Sequence, residues 1–180
     1  MAARADNFDL GALRLSAGEG RRLELQVEID PFLLSGERYH VEPARIVVHL
    51  DISRTGGDGY VLRLRFGAAV AGPCMRCLQA AQISSAVDTR EVSQPQQIDE
   101  RQPREIDELN SPYVRRGILD LRAWARDALA LALPAALLCR SECAGLCAAC
   151  GADLNAAGSE HAHDDEGQGP WAKLSEIRFE

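Results

Sequence analysis

Two Cys-x-x-Cys pairs, Cys74-Met75-Arg76-Cys77 and Cys147-Ala148-Ala149-Cys150, constrain this chain more than anything else in it. Two-residue spacing lets both thiolates of a knuckle turn onto one ion while backbone N–H groups of the loop bond the sulfurs. Gly151, directly after the second pair, suits the left-handed turn that closes such a knuckle. Cys139 and Cys143 stand just upstream of it, so all 6 cysteines of the chain fall into metal-ligand spacings. The N-terminal MAARADNFDLGAL has no apolar core of an export signal, which makes the cytoplasm the expected compartment. Thiols stay reduced there, and cysteines in this pattern read as metal ligands before disulfides.

His161 and His163 bring the number of soft or borderline donors to eight, enough for two tetrahedral sites. The simplest assignment joins Cys74, Cys77, Cys147 and Cys150 in one ribbon-like site. A local alternative joins Cys139, Cys143, Cys147 and Cys150, with Cys74 and Cys77 left free or sharing a second ion with His161 and His163. At least one structural zinc is expected, and two are possible. The plain alternative for His161-Ala162-His163 is a solvated tail, because Asp164, Asp165 and Glu166 follow directly. His40, in a Pro-flanked loop, and His49, on the polar side of a strand, read as surface residues.

Alternation of apolar and polar residues predicts antiparallel strands over 23–29, 45–52, 60–72 and 80–92. The turn cluster Thr55-Gly56-Gly57-Asp58-Gly59 joins the second and third as a hairpin, and Gly72-Pro73 leads that hairpin into the first knuckle. A short strand is expected at 113–117. Leu121, Trp124, Ala125, Ala128, Leu129 and Ala132 then fall at helical spacing from about 120 to 133, with Asp120 as N-cap and Pro134 as the stop. The fold expected is α+β: a curved antiparallel sheet or open barrel, one main helix on its apolar side, and a C-terminal zinc-knuckle segment.

A single domain over 1–180 fits the length, with residues 1–20 as a lead-in, 93–111 as a polar loop, 139–155 as the cysteine-rich knuckle and 156–180 as a polar tail. Trp171, Leu174, Ile177 and Phe179 would let the end of that tail dock as one amphipathic turn. The apolar run near Ala128–Leu138 is too short and too interrupted to cross a membrane.

A net charge of −7 with pI near 5.2 argues against bulk electrostatic attraction to nucleic acid. Arg21-Arg22, Arg63 with Arg65, and Arg115-Arg116 are local basic spots, each readable as a solvated face or a phosphate contact. A redox CxxC needs a helix N-terminus beside a βαβ unit, which neither knuckle has. Hydrolytic zinc needs an open position, which cysteine-rich sets do not leave. No Ser/His/Asp order, phosphate loop or HExxH occurs, so no enzyme and no small-molecule substrate are expected.

The run Pro73-Cys74-Met75-Arg76-Cys77-Leu78, then Leu119-Asp120-Leu121, Leu131-Ala132-Leu133-Pro134, and Gly145-Leu146-Cys147-Ala148-Ala149-Cys150-Gly151-Ala152-Asp153-Leu154-Asn155 resembles the YceD-like family. These are the large ribosomal RNA subunit accumulation proteins of bacteria and plastids. The resemblance implies a cytoplasmic, non-catalytic factor for processing or accumulation of the large-subunit (23S) ribosomal RNA. Its partner would be the pre-ribosomal large subunit, met through RNA or protein. It carries over all six cysteines as a set. Relatives that keep the Gly-Leu-Cys segment often close with Cys-x-Cys after Leu-Asn, where this chain has His161-Ala162-His163. Some relatives lack the C-terminal cysteines, which implies that the metal reinforces structure. Arg76, between the knuckle cysteines, is the leading candidate for RNA or partner contact, followed by Arg63, Arg65, Arg115 and Arg116. The functional alternative is a thiol-based redox or metal-responsive protein.

Overall fold

The computed structural model describes residues 3–4, 6–57, 59–94, 110–158 and 161–163. Its elements are β1 (Ala3–Arg4), β2 (Asn7–Asp9), β3 (Gly20–Glu28), β4 (Phe32–Leu34), β5 (Glu37–Glu42), β6 (Arg45–Arg54), β7 (Tyr60–Pro73), β8 (Ala80–Ser93), β9 (Val114–Arg115), β10 (Ile118–Asp120), α1 (Leu121–Ala132) and α2 (Leu154–Ala157). The main sheet runs β1-β3-β6-β7-β5-β4, with β8 on the other side of β7. Ladders between β3, β6, β7 and β8 are all antiparallel, and the four strands read from the alternation are these four.

β7 is the spine. Its first half, Tyr60–Arg65, pairs with β6, its second half, Ala69–Ala71, pairs with β5, and its whole length pairs with β8. Strict period-2 alternation explains why one face is buried. Leu62, Leu64, Phe66, Ala68 and Val70 of β7 join Ile46, Val48, Leu50 and Ile52 of β6 and Leu25 and Val27 of β3 in one core. α1 packs against both β8 and β3, which flank the β6–β7 pair, so the sheet curls around the helix. Among the described residues no ladder joins β8 to the far strands, so the sheet is not closed and no barrel is shown.

α1 forms where the 3.6-residue period places Leu121, Trp124, Ala125, Ala128 and Leu129 on one buried stripe. Asp120 caps it, its carboxylate accepting the Ala123 N–H at 2.9 Å. The Leu121 and Arg122 N–H groups donate to the Asp6 carbonyl, which satisfies two more donors of the open first turn. Residues 6–20 are therefore more than a lead-in. β2 pairs with β10 in a small three-stranded sheet with β9, and Leu10 and Leu15 are buried in the main core. Isolated apolar residues without a period hide such a segment from sequence reading.

The β4–β5 hairpin carries little sequence signal, because its strands are short and it turns on Ser35-Gly36. It places His40 on β5 and not in a loop, and His40 and His49 are both exposed. It also places Tyr39, 1% exposed, beside the end of β7, where its hydroxyl donates to the Pro73 carbonyl at 2.9 Å. The Tyr39 ring lies on Gly72, and a methyl group there would drive into the ring. Of the loop expected at 93–111, residues 95–109 lie outside the described residues, and so does the expected docking end with Trp171, Leu174, Ile177 and Phe179. The stem of that loop is closed by Ser111 donating to the Val92 carbonyl and Gln94 donating to the Asn110 side chain.

On the solvent face of the sheet, Asp51 accepts from Arg22 at 2.6 Å and from Arg65 at 2.9 Å, and Arg63 bonds Asp88 through two nitrogens. Hydrogen bonding from Arg22, reinforced by the Arg22 and Arg65 charges against the cost of burial, holds the Asp51 carboxyl below its ordinary value of 3.8.

Two measurements follow. Gly72→Ala should cost roughly 2 kcal/mol in urea unfolding through overpacking against Tyr39; unchanged stability would remove the close packing as the reason for glycine. Asp51→Asn should cost about 1 kcal/mol at pH 7. Because the folded pKa is depressed, the gap between the two proteins should be full above pH 4 and should close as pH falls through the folded value. A gap that persists at pH 2 would be a packing effect and not an ionic one.

Candidate metal centres

β7 ends at Pro73, and the chain turns at once into the first knuckle. The Cys74 N–H donates to the Gln79 carbonyl at 2.7 Å, and the Leu78 N–H donates to the Cys74 carbonyl at 3.0 Å. The second knuckle repeats this pattern. The Cys147 N–H donates to the Ala152 carbonyl and the Gly151 N–H to the Cys147 carbonyl, both at 2.8 Å. The residue after the second cysteine is left-handed in both, Leu78 at φ 62° and Gly151 at φ 73°. Glycine adopts that conformation freely, whereas leucine adopts it under strain.

All eight donors singled out in the sequence come together, in a grouping that neither sequence assignment gave. Cys74, Cys77, Cys139 and Cys143 form one cluster, and Cys147, Cys150, His161 and His163 form another. Within each, the ligand atoms lie within 4.8 Å of one another. Cys74 Sγ stands 3.8 Å from Cys143 Sγ, and Cys77 Sγ 3.6 Å from Cys139 Sγ. In the second cluster Cys150 Sγ is 3.4 Å from His161 Nε2, which is 3.1 Å from His163 Nε2. The long-range link is thus made by Cys139 and Cys143, not by the second knuckle. Spacing in sequence could not decide this, because the fold chooses the partner of a knuckle through the path of residues 134–143.

That path is fixed by backbone contacts. The Met75 N–H donates to the Leu137 carbonyl at 2.9 Å, the Leu137 N–H approaches Met75 Sδ, and Leu137 is buried. Arg76 then ties the two centres together. Its Nη1 donates to the Cys143 carbonyl at 2.9 Å, its own carbonyl accepts the Leu146 N–H at 3.2 Å, and Gly145 at φ 82° packs against it. A Cβ on residue 145 would stand 3.2 Å from the Arg76 carbonyl oxygen, so this crossing needs glycine twice over, for conformation and for space. Asn155, which closes the Gly-Leu-Cys motif, bridges both segments. Its Nδ2 approaches Cys143 Sγ at 3.6 Å and its Oδ1 accepts the Ala144 N–H at 2.9 Å. Such outer contacts orient ligands and temper their charge.

Burial separates the two centres. Cys74, Cys77 and Cys143 are buried and Cys139 is exposed, whereas Cys150 and His163 are exposed and Cys147 and His161 half-buried. In each knuckle one thiol is held below its ordinary value of 9.0. Burial opposes ionisation of Cys74, but the N–H groups of Cys77, Arg76 and Cys139 outweigh it and hold the thiol down at about 6. For Cys147 the Cys150 N–H leads, followed by the His161 ring and the Ala149 N–H, and the thiol again lies at about 6. Cys139 is pushed up to about 12, first by the neighbouring Cys77 sulfur and then by burial. Thiols of this kind release protons when a cation arrives.

Of the basic residues singled out, Arg63 and Arg65 are engaged with Asp88 and Asp51 on the sheet, and Arg76 braces the knuckles. Arg115 and Arg116 are exposed at the β9–β10 turn. Among the described residues no helix is long and apolar enough to cross a membrane.

Residues 62–178 match the family described as "Large ribosomal RNA subunit accumulation protein YceD". Similar chains include the uncharacterized protein ML1660 of Mycobacterium leprae (strain TN), 32% identical over 111 residues, which make up 61% of this chain and 49% of that protein. The uncharacterized protein Rv2926c of Mycobacterium tuberculosis is 30% identical over 164 residues, 88% of this chain and 77% of that protein. This chain thus spans about half the length of the M. leprae relative. No solved structure matches. With well over half of its length matched, both knuckles included, the chain belongs to the family of large ribosomal RNA subunit accumulation protein YceD.

Proposed function

We propose that this protein is a non-catalytic, cytoplasmic factor supporting accumulation of the large-subunit (23S) ribosomal RNA, with zinc in both centres as structural ions. The observation that carries the metal half of this reading is the four-sulfur cluster. A zinc–thiolate length of about 2.3 Å places two sulfurs of a tetrahedron about 3.8 Å apart, and the paired sulfurs here stand at 3.8 and 3.6 Å. The same arithmetic gives about 3.3 Å between two ring nitrogens and about 3.6 Å between nitrogen and sulfur, against 3.1 and 3.4 Å in the second centre. Cys74, Cys77, Cys139 and Cys143 would hold one ion and Cys147, Cys150, His161 and His163 the other. Four protein donors leave no open position for substrate or water, so the metal would supply cross-linking and no reaction.

The RNA half rests on the family description. The partner would be a precursor of the large ribosomal subunit, approached through local surfaces because the chain carries −7 overall. Of the basic candidates, Arg115 and Arg116 are placed best for phosphate, since both are exposed and Arg63, Arg65 and Arg76 have partners within the fold. The other reading, a thiol-based redox or metal-responsive protein, draws support from Cys147, whose thiol at about 6 is half-exposed.

Elemental analysis should return two zinc equivalents per chain, falling to one in His161→Ala/His163→Ala; unchanged stoichiometry would return the two histidines to a solvated tail. Thiol titration of the native protein should show cysteines that react only after a chelator is added, whereas freely reactive thiols would favour the redox reading. The intact chain should also co-sediment with large-subunit precursors, weakening as salt rises. Arg115→Ala/Arg116→Ala should weaken that association several-fold and flatten its salt dependence; equal association would remove the pair from the interface.

A further inference from the structure

The two knuckles close with the same backbone bonds, yet what stands between their cysteines differs. In the first, Met75 packs against the main core with its Sδ beside the Leu137 N–H, and Arg76 bonds the Cys143 carbonyl. Cys74 and Cys77 behind them are 0% and 3% exposed. The second knuckle has Ala148 and Ala149 at those places, both exposed, and two methyl groups screen little behind them. Cys150 is exposed and Cys147 half-buried. Their sulfurs lie within 4.8 Å of each other in one four-residue loop, so closing them to the ~2.05 Å of a disulfide asks movement of that loop only. Cys139 is the exposed member of the first centre. Its sulfur faces that of Cys77, which is buried on a knuckle held to the sheet end by Tyr39 and to Leu137 by Met75.

We propose that Cys147 and Cys150 form an oxidative modification site, at which a hydroperoxide makes a disulfide and opens the second centre while the first stays closed; this rests on the metal reading above and assigns a regulation to that centre. Cys150, the more exposed sulfur, attacks the peroxide O–O bond as thiolate. One oxygen stays on it as a sulfenic acid and the other leaves as hydroxide. The Cys147 sulfur then attacks Cys150 Sγ; the S–S bond forms, the S–O bond breaks, and a second hydroxide leaves. Two electrons pass from the sulfurs to the peroxide, and two protons from solvent turn both hydroxides into water. A disulfide offers no thiolate, so only His161 and His163 remain as donors, too few for a closed tetrahedral site. The Leu146 bond to Arg76 and the Asn155 bonds to Cys143 and Ala144 use none of these four side chains, so the bridge to the first centre survives. A thiol reductant reverses the step.

The test uses the intact chain with its bound zinc and hydrogen peroxide as the oxidant. Zinc released to a chromophoric chelator is followed in time, and disulfides are mapped on peptides after free thiols are alkylated. One zinc equivalent should leave about tenfold or more faster than the other. A Cys147–Cys150 disulfide should form in step with it, and reductant with fresh zinc should restore both. Cys147→Ser removes the resolving sulfur and should leave Cys150 as a sulfenic acid that dimedone traps; no adduct there would overturn Cys150 as the attacked sulfur. Both equivalents leaving together, a Cys77–Cys139 disulfide appearing first, or all 6 thiols intact after peroxide would each overturn the proposal. Zinc analysis before peroxide is added separates it from the reading beneath it. Two equivalents at the outset with no selective disulfide overturn the modification site alone, whereas fewer than two overturn the metal reading and this proposal with it.

Discussion

The way β7 ends decides the geometry of everything beyond it. A strand bonded on both edges along most of its length cannot shift register without moving its side chains to the wrong face. Its last residues are therefore fixed in space, and Tyr39 fixes them further by lying on Gly72 and bonding the Pro73 carbonyl. Cys74 and Cys77 inherit that rigidity. They form half of a donor set whose position is set by the sheet, and residues 139–143 have only to be delivered to it. The Met75–Leu137 backbone bond and the buried Leu137 deliver them.

The second centre has no such foundation. It stands on the first, through Arg76, Gly145 and Asn155, and its own ligands are partly in water. Two sites made from nearly the same knuckle thus differ in dielectric surroundings and in mechanical support. On the sheet face Arg22, Arg63 and Arg65 pair with Asp51 and Asp88.

How much of this was legible in the residues follows from which signals are local. Period-2 alternation gave β3, β6, β7 and β8, and the Asp120 cap with the Leu121–Leu129 stripe gave α1 almost to the residue. The eight candidate donors that cluster were also readable, since the spacing of cysteines and histidines is a local property. Their partition was not, because it depends on how residues 134–143 run back past Met75, and a single backbone bond settles that. The share of residues 6–20 in the fold was equally hidden. Asp6 caps a helix 115 or more positions away through its carbonyl, which carries no side-chain signature. From its place at a knuckle tip Arg76 reads as a projecting contact residue, and it is exposed, yet its guanidinium also bonds the Cys143 carbonyl, a partner 67 positions away that spacing does not reveal.

The sulfurs of Cys77 and Cys139 meet across 62 positions of chain. During synthesis from the N-terminus, the β6–β7–β8 sheet and its knuckle can form while the other half of the donor set is still being made. An ion offered to Cys74 and Cys77 at that stage finds two sulfurs, and a closed centre becomes available only once residue 143 has emerged. Closing so long a loop is costly for a flexible chain, and α1, which packs on the sheet in the folded protein, takes up part of that loop. An ion held at the first centre would in this sense act as a check in time: it would seal a chain whose sheet and helix are already in register.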